Sequence, residues 1–407
     1  MSSALKPSAL NTLQPATTRV VAVDALRGLT IAFMILVNDP GDWKHVYAPL
    51  EHAKWNGWTL TDLVFPSFLF LVGCSIVFAV ESRLARGVAA GTIALQIFRR
   101  ALVIFAIKMA LTVFPYFHMT RLRIFGVLTR IALCYLIAGL IYLWVRRARW
   151  VFVSVIVLLV GYWALMRFVP VPGIGWPVRD VPLLDMDRNL AAWLDRGFND
   201  WCQRLLHTGV LYEKTRDPEG LLSTLPAVGT TLIGVLAGLW LRRTSGVDAI
   251  TRSVCRNGLL AAGAGCVALG ELWGVWFPIN KNLWTSSYVL LAAGWSLLGL
   301  ACAYWLFDAE RLQERSRVVR GALWPWLVFG SNAITAYAMS NLIVKLLLWW
   351  KVQDNGQMVS VWGWVYEHAF ARWGSTENTS VVFALAFVVV CFLPNWWLWR
   401  RKIFLRV

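Results

Sequence analysis

The chain has 407 residues, of which 58% are hydrophobic and only 15% charged, with a formal net charge of +17. A soluble domain carries about 25% charged residues, so the composition excludes an ordinary soluble enzyme. The apolar stretches lack the strict alternation of a β-barrel strand, which excludes that class as well.

Apolar runs of near twenty residues, each long enough to cross a bilayer, recur from end to end. They predict an all-α polytopic membrane bundle of about ten spans: 20–37, 60–80, 101–115, 124–145, 151–169, 221–241, 257–277, 284–306, 323–345 and 379–399. Residues 1–19 read as a polar, disordered cytoplasmic tail, and 20–407 as one transmembrane domain with a long outer loop at about 170–220. Short helices are expected in that loop near 187–206. With the amino terminus inside, the inner segments hold 21 Lys/Arg against 5 Asp/Glu, and the outer ones 13 against 14. The basic excess is therefore the positive-inside pattern, which places both termini in the cytoplasm and argues against nucleic acid as a partner. Tryptophans at span ends, among them Trp150, Trp284 and Trp349, suit an interfacial belt.

The first span ends at Asn38, the first outer loop carries Glu51-His52-Ala53-Lys54-Trp55-Asn56-Gly57, and Asp62 opens the second span. The short connector brings Asn38, His52, Asn56 and Asp62 together. A histidine near neutral pH can hold or take a proton, and an amide beside it suits acyl transfer. The plainer alternative is a histidine that caps a helix. Asp217 and Glu219 enter the sixth span from outside, where acids stabilise a helix N-terminus or meet a polar or cationic substrate. Lys281 and Asn282 sit in a tight turn, 278–288, on the same side as His52. Asn332, in Gly330-Ser331-Asn332, lies inside the ninth predicted span, where a polar group needs a partner or a cavity. Asp24 and Arg27 are three apart on one helix face and read as an ion pair. Arg27, Arg99, Arg100, Arg242 and Arg243 are candidate contacts for an anionic cofactor arriving from the cytoplasm. Neither the histidines nor the seven cysteines show metal-ligand spacing, so no metal is expected.

Taken in order, Asp24-Ala25-Leu26-Arg27-Gly28, Asn38, His52-Ala53-Lys54-Trp55-Asn56-Gly57 and Asp62-Leu63-Val64-Phe65-Pro66 resemble the heparan-α-glucosaminide N-acetyltransferase family. So do Asp217-Pro218-Glu219-Gly220-Leu221, Asn280-Lys281-Asn282-Leu283-Trp284 and Gly330-Ser331-Asn332-Ala333-Ile334. The resemblance implies a transmembrane acetyltransferase that takes acetyl from cytoplasmic acetyl-CoA to an amino sugar outside. It implies His52 as the active histidine and Asn38 as its assistant. Asn56, Asp62, Asp217, Glu219, Lys281 and Asn282 are then expected to contact the acceptor, and Arg27, Arg99, Arg100 and Asn332 the cofactor. Met339-Ser340 stands where the lysosomal member has a histidine, and the stretch before the first span is short. Both point to a bacterial amino sugar and the bacterial inner membrane, with a second copy of the chain as a candidate partner. A transporter for N-acetylglucosamine or related sugars and an envelope polysaccharide O-acyltransferase are the alternatives.

Overall fold

The computed structural model of the protein describes residues 20–244 and 248–405; the expected tail at 1–19 lies outside the described residues. The helices in chain order are α1 (Val21–Asn38), α2 (Val64–Ala85), α3 (Ala90–Val113), α4 (Val127–Val145), α5 (Ala148–Phe168), α6 (Leu190–Leu206) and α7 (Thr224–Thr244). They continue with α8 (Ala249–Gly274), α9 (Ser286–Tyr304), α10 (Leu312–Arg315), α11 (Arg317–Ser331), α12 (Ala333–Trp349), α13 (Val361–Val365) and α14 (Glu377–Arg400). A two-stranded hairpin, β1 (Lys351–Asp354) and β2 (Gln357–Ser360), follows α12. Among the described residues nine helices are long and apolar enough to span a membrane, and α11 with α12 forms a further, broken pair. The protein is thus an all-α polytopic membrane bundle.

Close helix approach sets the core. A Cβ at Gly73 of α2 would lie 1.9 Å from the Thr231 carbonyl oxygen of α7, and one at Gly234 of α7 would lie 1.9 Å from that of Phe70. Only glycine lets these two backbones meet, as small residues do at membrane helix crossings. The same device joins α1 to α11, where a Cβ at Gly28 would be 1.7 Å from the Trp326 oxygen and one at Gly330 2.1 Å from that of Asp24.

Three expectations change. The third span is not a short helix beginning at 101: α3 starts at Ala90, so Arg99 and Arg100 lie on a helix and not in an inner loop. Two adjacent arginines depress a hydropathy window, but they do not break a helix, because arginine is a good helix former. The ninth span is not continuous: α11 and α12 bend by 82° at Asn332. Trp284 is not in the interfacial belt. It is 1% exposed, donates Nε1–H to Thr230 Oγ1 at 3.1 Å, and packs edge-on against Phe65 and Tyr288.

Candidate functional site

At the outer end of α2, a 3-10 turn at Thr61–Leu63 carries Asp62 into the interior, where it is fully buried. Its two oxygens do different work. Oδ2 accepts from the backbone N–H of Ala53 and of Thr59, both at 3.0 Å, and from Thr59 Oγ1 at 3.2 Å, which folds the 51–62 loop around the carboxylate. Oδ1 faces His52 Nδ1 at 2.8 Å and Lys281 Nζ at 3.2 Å. With Nδ1–H donated to Asp62, the lone pair of His52 is left on Nε2. The imidazole is 42% exposed, and Lys281 Nζ lies 3.2 Å from its Nε2. Such a His–Asp pair is a base held in one tautomer and one orientation.

Lys281 reaches this pair from the turn between α8 and α9. Asn280 is fully buried and accepts from Leu283 N at 2.9 Å, while its own N–H is taken by Thr285 Oγ1 at 3.0 Å. Its side-chain amide donates to Asn56 Oδ1 at 3.2 Å, and Gly57 N donates to Ile279 O at 2.8 Å. Asn56 therefore couples the histidine loop to the lysine turn. Burial pushes the Lys281 ammonium below its ordinary value, against the opposing pull of the Asp62 carboxylate.

The remaining outer candidates are placed differently. Asn38 is exposed at the end of α1 and makes no hydrogen bond with His52 among the described residues. Asn282 is half-buried in the lysine turn and likewise makes no bond to the cluster. Asp217 is held by Arg123 at 2.6 and 2.8 Å, and Glu219 is held by Arg123 at 2.6 Å. These acids thus pin the segment before α7 to the α3–α4 connector. Asp195 of α6 underlies the same segment, accepting from Leu221 N at 2.9 Å, and burial raises its carboxyl to about 7. Sequence reasoning missed Arg123, which lies almost a hundred residues from its partners and has no local signal. Arg130, a charge that the sequence places inside the predicted span 124–145, is indeed buried: it is 1% exposed, lies over the Trp284 ring at 4.9 Å and donates to Ser223. A second pair, His45 Nδ1 with Asp42 Oδ2 at 2.8 Å, occurs in the same outer loop. Its acid takes Lys44 N and Ser375 Oγ instead of a lysine ammonium.

At the opposite end lies a cavity of about 1270 Å³. Arg27, Arg83, Arg86, Arg99, Arg100, Arg242 and Arg243 line it, against the acids Asp24 and Glu81. Arg242 is paired with Glu81 at 2.7 Å, and Arg27 with Asp24 at 3.0 Å. Arg27 also donates to Ser75 and to the Gly330 carbonyl at the α11–α12 break. Arg83, Arg86, Arg99, Arg100 and Arg243 have no carboxylate partner among the described residues. Arg100 stands over the Tyr135 ring at 5.0 Å with its Nε buried and without a hydrogen-bond partner among the described residues. Asn332 lines this cavity too, but its amide is engaged: it accepts from Leu405 N at 2.8 Å and donates to Ile403 O at 3.1 Å. It thereby ties the carboxy-terminal segment to the helix break.

The cavity follows α2 from Ala85 to Phe68, about 26 Å at the helical rise. Asp62 stands six residues beyond Phe68 on the same run, a further 9 Å or so. The cavity thus carries arginines toward one end and apolar residues such as Phe68, Ile104 and Ile131 toward the other, and the His52–Asp62 pair stands beyond that apolar end along α2.

Comparison with known proteins bears on this geometry. A family profile described as "Heparan-alpha-glucosaminide N-acetyltransferase, catalytic" matches residues 19–269, which include His52, Asp62 and all seven cavity arginines. The chain is 27% identical over 444 residues to the human protein named heparan-alpha-glucosaminide N-acetyltransferase, covering 97% of this chain and 62% of that one. It is 28% identical over 390 residues to the mouse protein of the same name, covering 84% of this chain and 57% of that one. The chain thus spans about 60% of the length of these curated relatives. With the profile covering more than half of its residues, the chain belongs to the heparan-alpha-glucosaminide N-acetyltransferase catalytic family.

Proposed function

We propose that this protein carries an acetyl group from acetyl-CoA to the amine of an amino sugar on the opposite side of the membrane. The observation that carries the reading is the cavity, which runs along α2 from arginines with no carboxylate partner among the described residues to Phe68, about two helical turns along the chain from Asp62. The nucleotide end of acetyl-CoA is anionic and too polar to enter lipid. Arginine binds phosphate oxygens through a planar fork of donors, so the nucleotide stays at the arginine-rich mouth. The slender pantetheine arm follows the cavity, and the thioester meets the acceptor amine beside His52. The basic mouth would face the cytoplasm of a bacterial inner membrane.

In the transfer, the neutral amine attacks the thioester carbonyl carbon and His52 Nε2 takes the amine proton. The C–S bond then breaks, and the thiolate of CoA leaves with that proton. Asp62 holds the ring so that Nε2 faces the reaction, and its negative charge stabilises the imidazolium that forms. Asn38, exposed at the end of α1, would contribute its amide from the rim.

One observation favours transport instead: the broken pair α11–α12, since transporters build sites from discontinuous helices. Here the Gly330 carbonyl freed at the break is taken by Arg27, and the Asn332 amide by the chain's own backbone. The break is therefore satisfied within the protein, which supports a cofactor cavity more than a substrate gate.

The test is calorimetric binding of acetyl-CoA to the purified full-length protein. Replacing Arg99 or Arg100 by Gln is expected to weaken binding about tenfold each, the scale of one lost charge-assisted hydrogen bond. Unchanged affinity in both variants would remove the arginine mouth from the account. Uptake of labelled N-acetylglucosamine into liposomes without acetyl-CoA would support transport.

A further inference from the structure

The ammonium of Lys281 stands 2.8 Å from His52 Nδ1 and 3.2 Å from His52 Nε2. A cation that reaches both ring nitrogens is not simply a hydrogen-bond partner for one of them. It is within hydrogen-bond distance of Nε2, the atom that must take the acceptor amine's proton. Its other contact is the fully buried Asp62, 3.2 Å away. The turn that carries it is fixed before any substrate arrives, through Asn280 to Leu283, Thr285 and Asn56, and through Gly57 to Ile279. Trp284, buried beside Leu283, closes the turn in a left-handed conformation with φ of 52°. A desolvated cation held by a rigid turn is the arrangement that stabilises negative charge most effectively, because no reorganisation is needed when the charge appears.

We infer that Lys281 is a catalytic residue that receives the oxyanion formed on the thioester carbonyl. The inference rests on the acetyl-transfer reading above and assigns the lysine a role within it. As the amine nitrogen bonds to the carbonyl carbon, the C=O π pair moves to oxygen. That oxygen then lies against the Lys281 N–H donors, while His52 Nε2 accepts the amine proton. When the C–S bond breaks, the pair returns from oxygen to re-form C=O, the sulfur leaves with its own pair, and the proton on His52 passes to it. The lysine keeps its three protons throughout. Asp62 holds the ammonium before the reaction and shares it with the oxyanion during the reaction. No other cation contacts His52 among the described residues.

The experiment compares wild type with Lys281→Met and Lys281→Arg in the full-length purified protein. It reads release of the CoA thiol, formation of acetylglucosamine from glucosamine, and affinity for free CoA, which has no carbonyl to polarise. Lys281→Met is expected to lower kcat about 10²–10³-fold, the usual cost of removing one oxyanion donor. CoA affinity and the KM for glucosamine should stay within about threefold of wild type, which also shows that the variant is folded. Lys281→Arg keeps the charge and should recover part of kcat. The trifluoromethyl ketone analogue of acetyl-CoA, whose carbonyl adds water to mimic the tetrahedral species, should bind wild type tightly and lose that advantage in Lys281→Met. A kcat within threefold of wild type in Lys281→Met, or a loss confined to KM or CoA affinity, overturns the assignment alone. A wild-type protein that neither transfers acetyl nor binds CoA overturns the functional reading and this role with it.

Discussion

His52→Ala is expected to abolish acetyl transfer while leaving the protein inserted and folded. The side chain is 42% exposed, so its removal opens no core cavity. The loop around it is held by contacts that the variant keeps, from Ala53 N and Thr59 N to Asp62 Oδ2. The Asp62–Lys281 ion pair at 3.2 Å also survives, so no buried charge is stranded. Substitutions of this kind usually alter stability by well under 1 kcal/mol. The chemical loss is far larger. A positioned base contributes about 10²–10⁴-fold. The check is initial rate of thiol release together with the elution profile and melting temperature of the detergent-solubilised protein. Activity near wild type would move the site elsewhere, with His45 and its partner Asp42 the first place to look.

Asp62→Asn is expected to lower kcat by at least about 10²-fold and by as much as about 10⁴-fold, the scale for an acid that orients a catalytic histidine. The reason lies in the division of labour between its oxygens. Oδ2 accepts from Ala53 N, Thr59 N and Thr59 Oγ1, and only an oxygen can replace it there. The asparagine must therefore turn its NH₂ to the Oδ1 position, toward His52 Nδ1 and the Lys281 ammonium. A donor facing Nδ1 forces the ring proton onto Nε2, the tautomer that cannot act as the base. The same donor opposes the lysine cation. The loop keeps its fold while the chemistry is lost, so CoA affinity should be close to wild type. Binding and turnover measured side by side separate this outcome from simple unfolding.

Several of these features are legible in the sequence and several are not, for physical reasons. Spans declare themselves because a bilayer demands continuous apolar length. The ten-residue spacing of His52 and Asp62 leaves them close, and they do meet. Hydropathy reads charge as solvent exposure, so it ends the third span short of Arg99 and Arg100, although a helix facing an aqueous cavity can carry both. The break at Asn332 is hidden because Gly330 and Ser331 read equally well as small packing residues. Trp284 looks interfacial by position, and only the three-dimensional fold supplies Thr230 and Arg130 to bury it. The contact between Lys281 and His52 joins residues 229 apart, and no local pattern predicts such a pairing. Asp217 and Glu219 pair with Arg123 across almost a hundred residues, a contact that no local pattern predicts either.

The most direct measurement places the two substrates on opposite sides of a sealed membrane. Purified protein is reconstituted in liposomes loaded with glucosamine, and labelled acetyl-CoA is added outside to the molecules whose arginine-rich cavity mouth faces outward. The account predicts labelled N-acetylglucosamine inside the liposomes, intact acetyl-CoA excluded from the lumen, and no product with His52→Ala. Product formed only when acetyl-CoA and glucosamine share one side would contradict it.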